Sequence, residues 1–197
     1  QHSSESLAGR IAYYELRGLD IRELGANKLS RLWLRGGFPR SYLARGEPES
    51  VRWREQFVRT FLERDLPQLG IRTASTILRR FWTMLAHYHG QIWNASELAR
   101  ALGADYKTAQ HYLDILSSTF IVRTLQPFFA NVKKRQVKSP KVYLSDSGLL
   151  HSLLGLQNRT QLEGHPKVGA SWEGFLVEQI CAQLGVRSED AYFWGTH

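Results

Sequence analysis

The chain has 197 residues, enough for one large domain or two small ones, and 43% of them are hydrophobic, which excludes a disordered chain. With 26 Lys and Arg against 18 Asp and Glu the formal charge is +8, a balance that permits DNA, RNA or an anionic surface as partner without requiring one. The single Cys181 excludes an internal disulfide and a multi-cysteine zinc site, and no apolar run reaches the ~20 residues of a membrane span. With no signal peptide visible, a cytoplasmic protein without a membrane partner is expected. A start at Gln1 without Met, and a stop at His197 directly after a strand-like run, are what a piece of a longer protein would show.

In chain order, the β-branched and aromatic content of residues 10–16 predicts a short strand, whose partners would have to come from elsewhere. A short helix is expected over residues 27–35, broken by Gly36-Gly37-Phe38-Pro39. Pro48 opens a long helix that should run to about Leu66, where Pro67 closes it. Trp53, Phe57 and Phe61 recur every four residues and make one apolar stripe. Residues 74–88 carry a similar stripe in Ile77, Leu78, Phe81, Trp82 and Leu85, so the two helices should pack as a pair.

Asn94-Ala95-Ser96-Glu97 has capping-box spacing and starts a helix over residues 96–102, stopped by Gly103. Another helix spans residues 105–118, and strands follow at residues 120–125 and 141–144. Helix, Gly turn, helix and a two-stranded ribbon is the order of a winged helix-turn-helix. Asp146 or Ser145 should cap a short helix, residues 155–169 read as loop, and a last helix over residues 171–184 leads to a strand at residues 191–194.

The second helix of a winged-helix unit ordinarily lies in the major groove. That makes Tyr106, Lys107, Thr108, Gln110 and His111 candidate DNA contacts, since Gln suits adenine and Lys suits guanine or phosphate. Residues 105–118 hold one Lys against two Asp, however, so a packing or protein-contact role stays open beside DNA. The stretch from Asn131 to Lys141 is the more basic one. It carries Lys133, Lys134, Arg135, Lys138 and Lys141 with no acid, and it falls where a wing would project; the alternative is a solvated loop.

Glu173 shares a helix side with Leu176, Val177 and Ile180. A carboxylate on an apolar flank needs a partner or a metal, and nucleases that hold Mg²⁺ often place one on a helix before a sheet. The alternative is a boundary Glu paired to an Arg. His87-Tyr88-His89 has i,i+2 spacing, which points the rings apart, whereas metal pairs on a helix usually sit at i,i+4. No G-x-x-x-x-G-K-[ST] phosphate loop occurs.

Five stretches carry a resemblance to a known family: Ser6–Arg10, Gly36–Pro39, Phe61–Pro67, Lys138–Leu150 and Ala170–Phe175. Together they make the chain similar to the C-terminal region of prokaryotic AAA-type P-loop ATP-binding proteins, in which the ATPase core is followed by a domain of unknown function. The resemblance implies that residues 1–24 are the residual end of that core and a linker, with Arg10 near the nucleotide of the complete protein. It implies a helical plus winged-helix domain over residues 25–145. It also implies the start of a restriction-endonuclease-like domain over residues 146–197, in which Glu173 matches the helix carboxylate. ATP and Mg²⁺ would belong to the parent protein, with no cofactor or catalytic residue in this piece.

The expected fold is therefore mainly α with small β elements: a helical pair, a winged helix-turn-helix and a partial nuclease-like α/β end. The expected function is a non-catalytic DNA-binding or regulatory region of an ATPase. A protein-interaction module that docks on the ATPase core or another protein, and a truncated nuclease-like domain, are the rival readings.

Overall fold

The computed structural model describes residues 9–12, 16–128, 139–187 and 190–194. The chain begins with two short turns of helix, α1 (Ile21–Leu24) and, after a tight turn, α2 (Leu29–Arg35). Asp20 starts α1 through a full capping box with Glu23. Of the strand expected over residues 10–16, residues 10–12 and 16 form no strand, and residues 13–15 lie outside the described residues. Among the described residues no strand pairs with them; instead the Leu19 N–H bonds to the Gly37 carbonyl at 2.7 Å.

Helix α3 (Pro39–Tyr42) turns the chain into α4 (Glu47–Thr60), which continues through a wider π-type turn over Phe61–Asp65 into α5 (Leu66–Gln68). The helix, expected to stop at Pro67, ends one residue later at Gln68. The widened turn is visible in the Leu66 N–H bonding back to the Phe61 carbonyl, five residues away. The aromatic stripe is real: Trp53 and Phe57 stack at 5.4 Å, Phe57 and Phe61 at 5.9 Å, and Phe61 meets Trp82 of α6 (Ser75–His87) edge-on. Leu78, Phe81, Trp82 and Leu85 of α6 are fully buried and form the centre of the main core.

After α6 come β1 (Gln91–Ile92), α7 (Ala95–Leu102), α8 (Tyr106–Ser118), β2 (Val122–Pro127) and β3 (Lys141–Leu144). Asn94 caps α7 and Asp105 caps α8, each accepting a backbone N–H three residues on. Gly103 ends α7 at φ +72°, a left-handed turn that a side chain would strain. Strands β1 and β2 flank β3 antiparallel, with Gln91 opposite Val142 and Val122 opposite Leu144. This is a winged helix-turn-helix. A fourth strand, β4 (Tyr192–Phe193), extends the sheet by pairing parallel to β2.

Helix α9 (Ser147–Leu153) follows β3 at once, capped by Asp146. Its Leu149 and Leu150 lie in the same core cluster as α6 and α8, so packing continues across the boundary expected at 145/146. The loop expected at residues 155–169 contains a short helix, α10 (Arg159–Glu163), started by Asn158 and supported by the Arg159–Glu163 pair. Helix α11 (Val168–Leu184) starts earlier than its expected Ser171 and packs Phe175 and Trp172 against Leu32 and Trp33 of α2. The molecule is thus mainly helical with one small sheet, as the sequence implied.

A buried polar knot joins these parts. Arg54 of α4 is wholly buried and donates to Ser50 Oγ at 2.9 Å and to the Arg35 carbonyl. Ser41 Oγ donates to the same carbonyl at 2.6 Å. Arg35 itself holds Glu47 and the Tyr42 and Ala44 carbonyls. Across the knot, Asp146 accepts from the Gly37 N–H at 2.7 Å while capping α9 at Leu149. Gly148 is pressed so close that an added Cβ would sit on the Arg35 carbonyl, nearer than real Cβ contacts come. Gly148→Ala should therefore lower unfolding free energy in urea by about 2 kcal/mol or more, as overpacked sites do. A wild-type midpoint would show that α9 does not press on residue 35.

Candidate nucleic-acid interface

The α8 surface is built by its own periodicity. Ala109, Tyr112, Leu113, Ile115 and Leu116 face the core, which leaves Tyr106, Lys107, His111 and Asp114 outward. Thr108 is half-buried. Gln110 is engaged at both ends: Trp93 Nε1 donates to its Oε1 at 2.8 Å, and its Nε2 donates to Asp114 Oδ1 at 2.9 Å. Reading a base would mean breaking these bonds. Of the expected contacts on α8, Lys107 and His111 stand exposed, with Tyr106 beside them.

The helix N-terminus is already occupied. Asp105 accepts the Thr108 N–H, and that bond holds its carboxyl below the usual range. A phosphate approaching this end would meet a carboxylate rather than open N–H groups. Lys133, Lys134, Arg135 and Lys138 lie outside the described residues. Lys141 begins β3 and places its ammonium on Glu173 Oε1 at 3.0 Å.

One feature near the turn was not foreseen from the sequence. Helix α6 contains no acidic residue, and its outward side presents Thr76, Arg79, Arg80 and His87. Arg80 reaches across to the end of α7 and donates to the Ala101 carbonyl at 2.8 Å. A count of acids helix by helix would have shown it.

Glu173 sits under the sheet. Tyr143 donates to its Oε1 at 2.6 Å, beside the Lys141 contact. Burial works to raise its pKa, but the Tyr143 bond and the Lys141 charge outweigh this and leave the carboxyl lowered. The same burial and bond push the Tyr143 phenol up. The carboxylate thus has the partner its position demanded, a Lys and a Tyr rather than an Arg. Among the described residues no group of three His, Cys, Asp or Glu could hold a metal. Arg10 is exposed. His87 points outward and His89 inward, as their spacing implied.

A cleft of about 630 Å³ opens between β2, β3, α11 and residues 16–20. Gly37, Phe61, Asp65, Asp146 and Gly174 are among its walls, so four of the five stretches that carry the family resemblance meet there. These stretches are joined by packing as well as by sequence.

Residues 26–160 match the model of a domain of unknown function, DUF8612, which covers more than half of the chain. The chain belongs to the DUF8612 family. Uncharacterized proteins of Mycobacterium tuberculosis and Mycobacterium bovis are each 53% identical to it over 194 residues, covering 98% of this chain and 44% of their own length. The chain thus spans less than half the length of these curated relatives. A solved crystal structure of a transcriptional regulator is similar at 21% identity and a TM-score of 0.28, over 70% of this chain and 96% of the other; so low a score does not bear on function.

The DUF8612 match includes two buried histidines that must stay neutral. His89 Nδ1 accepts the Leu144 N–H at 2.9 Å, and His151 bridges the Leu34 carbonyl and Ser171 Oγ. Burial pushes each ring down to about 4. An unfolded chain binds these protons nearer pH 6.5, so their contribution is complete above that pH and is lost as pH falls toward 4. Urea unfolding from pH 7.5 to 4.5 should show a decline of up to about 3 kcal/mol for each ring. His89→Gln should flatten part of that slope; a profile with no decline would contradict the neutral-ring assignment.

Proposed function

We propose that this chain is a DNA-contacting, regulatory winged-helix region of a larger protein. The observation that carries the reading is α8 standing on the winged-helix frame with Lys107 and His111 exposed. The basic run of Lys133, Lys134, Arg135 and Lys138, between β2 and β3 in sequence, supports it as a source of phosphate contacts. No helix among the described residues is long and apolar enough to cross a membrane.

The larger protein is proposed to carry an AAA-type ATPase core, as the resemblance implies. ATP and Mg²⁺ would belong to that core. The sequence has no phosphate loop, and among the described residues no group of three His, Cys, Asp or Glu could hold a metal. Glu173, held by Tyr143 and Lys141, supports a structural part rather than a nuclease one.

A second reading is docking onto a protein, the ATPase core included. Its specific support is the outward face of α8, where Asp105 and Asp114 flank Lys107 and His111. Carboxylates on that face cost affinity for phosphates and suit a mixed-charge partner.

Gel-shift or anisotropy titration with a mixed-sequence duplex separates the two. Duplex affinity should fall steeply from 50 to 200 mM salt, and Lys133→Ala/Lys134→Ala/Arg135→Ala should weaken it at least tenfold. Absent or salt-insensitive binding favours the docking reading.

A further inference from the structure

Some exposed arginines are neutralised locally, while Arg40, Arg45, Arg52 and Arg72 form no ion pair among the described residues. Arg59, Arg159 and Arg187 each hold a carboxylate within one turn, at Glu63, Glu163 and Asp190. Three more of the unpaired kind lie on α6 and α7, two helices that pack together. Arg79, Arg80 and Arg100 are exposed and none forms an ion pair among the described residues. Glu97, three residues before Arg100 on α7, is the nearest acid in that stretch of sequence, and α6 has none.

Arg79 and Arg80 are neighbours on α6, and Arg80 approaches the end of α7 that carries Arg100. Thr76, Arg79, Arg80 and Thr83 follow one another at helical spacing along the outer side of α6. Arg80 crosses to the Ala101 carbonyl, so its guanidinium lies one residue from Arg100 and beside the Gly103 turn. At that junction Arg80 and Thr76 line a groove together with Gly103, Ala104 and the apolar Ile77, Leu102 and Tyr112. Lys107 stands on the first turn of α8, just past it. Guanidinium groups with neighbouring hydroxyls are a usual combination for phosphate oxygens. The capped N-terminus of α8 offers no competing anion site, because Asp105 fills it.

We propose that this acid-free side of α6, with Arg100 of α7, is a second grip on duplex DNA: Arg79, Arg80 and Arg100 hold one phosphate strand beside the groove that α8 faces. It rests on the DNA-contacting reading above and is independent of residues 133–138. The contact is sequence-blind, because it reaches backbone phosphates and no base edge. It positions α8, whose own surface is mixed in charge.

The test is the salt dependence of the 197-residue chain binding a mixed-sequence duplex of about 20 base pairs, followed by anisotropy. Arg79→Gln/Arg80→Gln/Arg100→Gln should reduce the slope of log affinity against log salt by about 2 to 3, near 0.9 for each phosphate no longer neutralised. Affinity at 50 mM salt should fall at least tenfold, equally for unrelated sequences. Because Arg80 also supports α7, Arg79→Gln/Arg100→Gln is measured beside it, with a slope reduction of about 2 expected. Arg52→Gln/Arg159→Gln, on other exposed faces, should leave the slope unchanged. If the wild-type chain binds with a steep slope and neither variant alters it, the second grip is wrong while the DNA reading stands. If the wild-type chain does not bind the duplex at all, the DNA reading fails and the grip with it.

Discussion

Arg54 is the constraint on which much of the rest depends. A guanidinium with no exposed surface is costly to bury, and burial accordingly lowers its pKa. Asp146, whose own carboxyl is raised by burial, is the first charge that favours keeping Arg54 ionised. Ser41, Ser50 and the Arg35 carbonyl offset part of that cost at Nη1, while Arg54 Nε and Nη2 have no hydrogen-bond partner among the described residues. These groups come from α2, α3 and α4, and Asp146 from the junction of β3 and α9. The knot therefore fixes the helical part of the molecule to the strand that ends the wing. Gly148 belongs to the same constraint, because α9 can approach the Arg35 carbonyl only without a side chain there.

From that fixed junction the helix-turn-helix follows by periodicity. Helix α6 does two jobs at once. Leu78, Phe81, Trp82 and Leu85 fill the core on one side, and the arginines stand on the other. Helices α7 and α8 pack on it through Leu98, Leu113 and Leu116, and this sets where the turn and Lys107 sit. The sheet adds a tie of its own: Tyr143 and Lys141 of β3 meet Glu173 of α11, while Arg123 of β2 meets Glu178. The strands that bracket residues 129–138 are thus each held to α11 by a charged pair.

Much of this was legible in the sequence because its signals are local. The stripes of α4, α6 and α8, the Asn94 and Asp105 caps and the Gly103 turn each specify structure within a few residues, and the winged-helix order follows from them. What failed was non-local or competed with another signal. Residues 10–12 and 16 have strand composition, but a strand needs a neighbour, and among the described residues none pairs with them. Helix α10 was hidden by surrounding Gly and Pro, although Asn158 signals its start.

The candidate site was less legible than the fold. Gln110 has the chemistry of a base reader, but its availability depended on Trp93, seventeen residues away. Arg80 could be seen as exposed on its helix, yet its reach to Ala101 is a tertiary fact. Glu173 was expected to need a partner, and the pattern could not say that Tyr143 and Lys141, some thirty residues earlier, supply it. The central functional claim is that the helix-turn-helix face meets duplex DNA. Amide hydrogen exchange with and without a saturating duplex at low salt tests it most directly. Exchange should slow in the first half of α6, across the Gly103 turn and along α8, with α10 unchanged; protection confined to α10 and α11, or none anywhere, would contradict it.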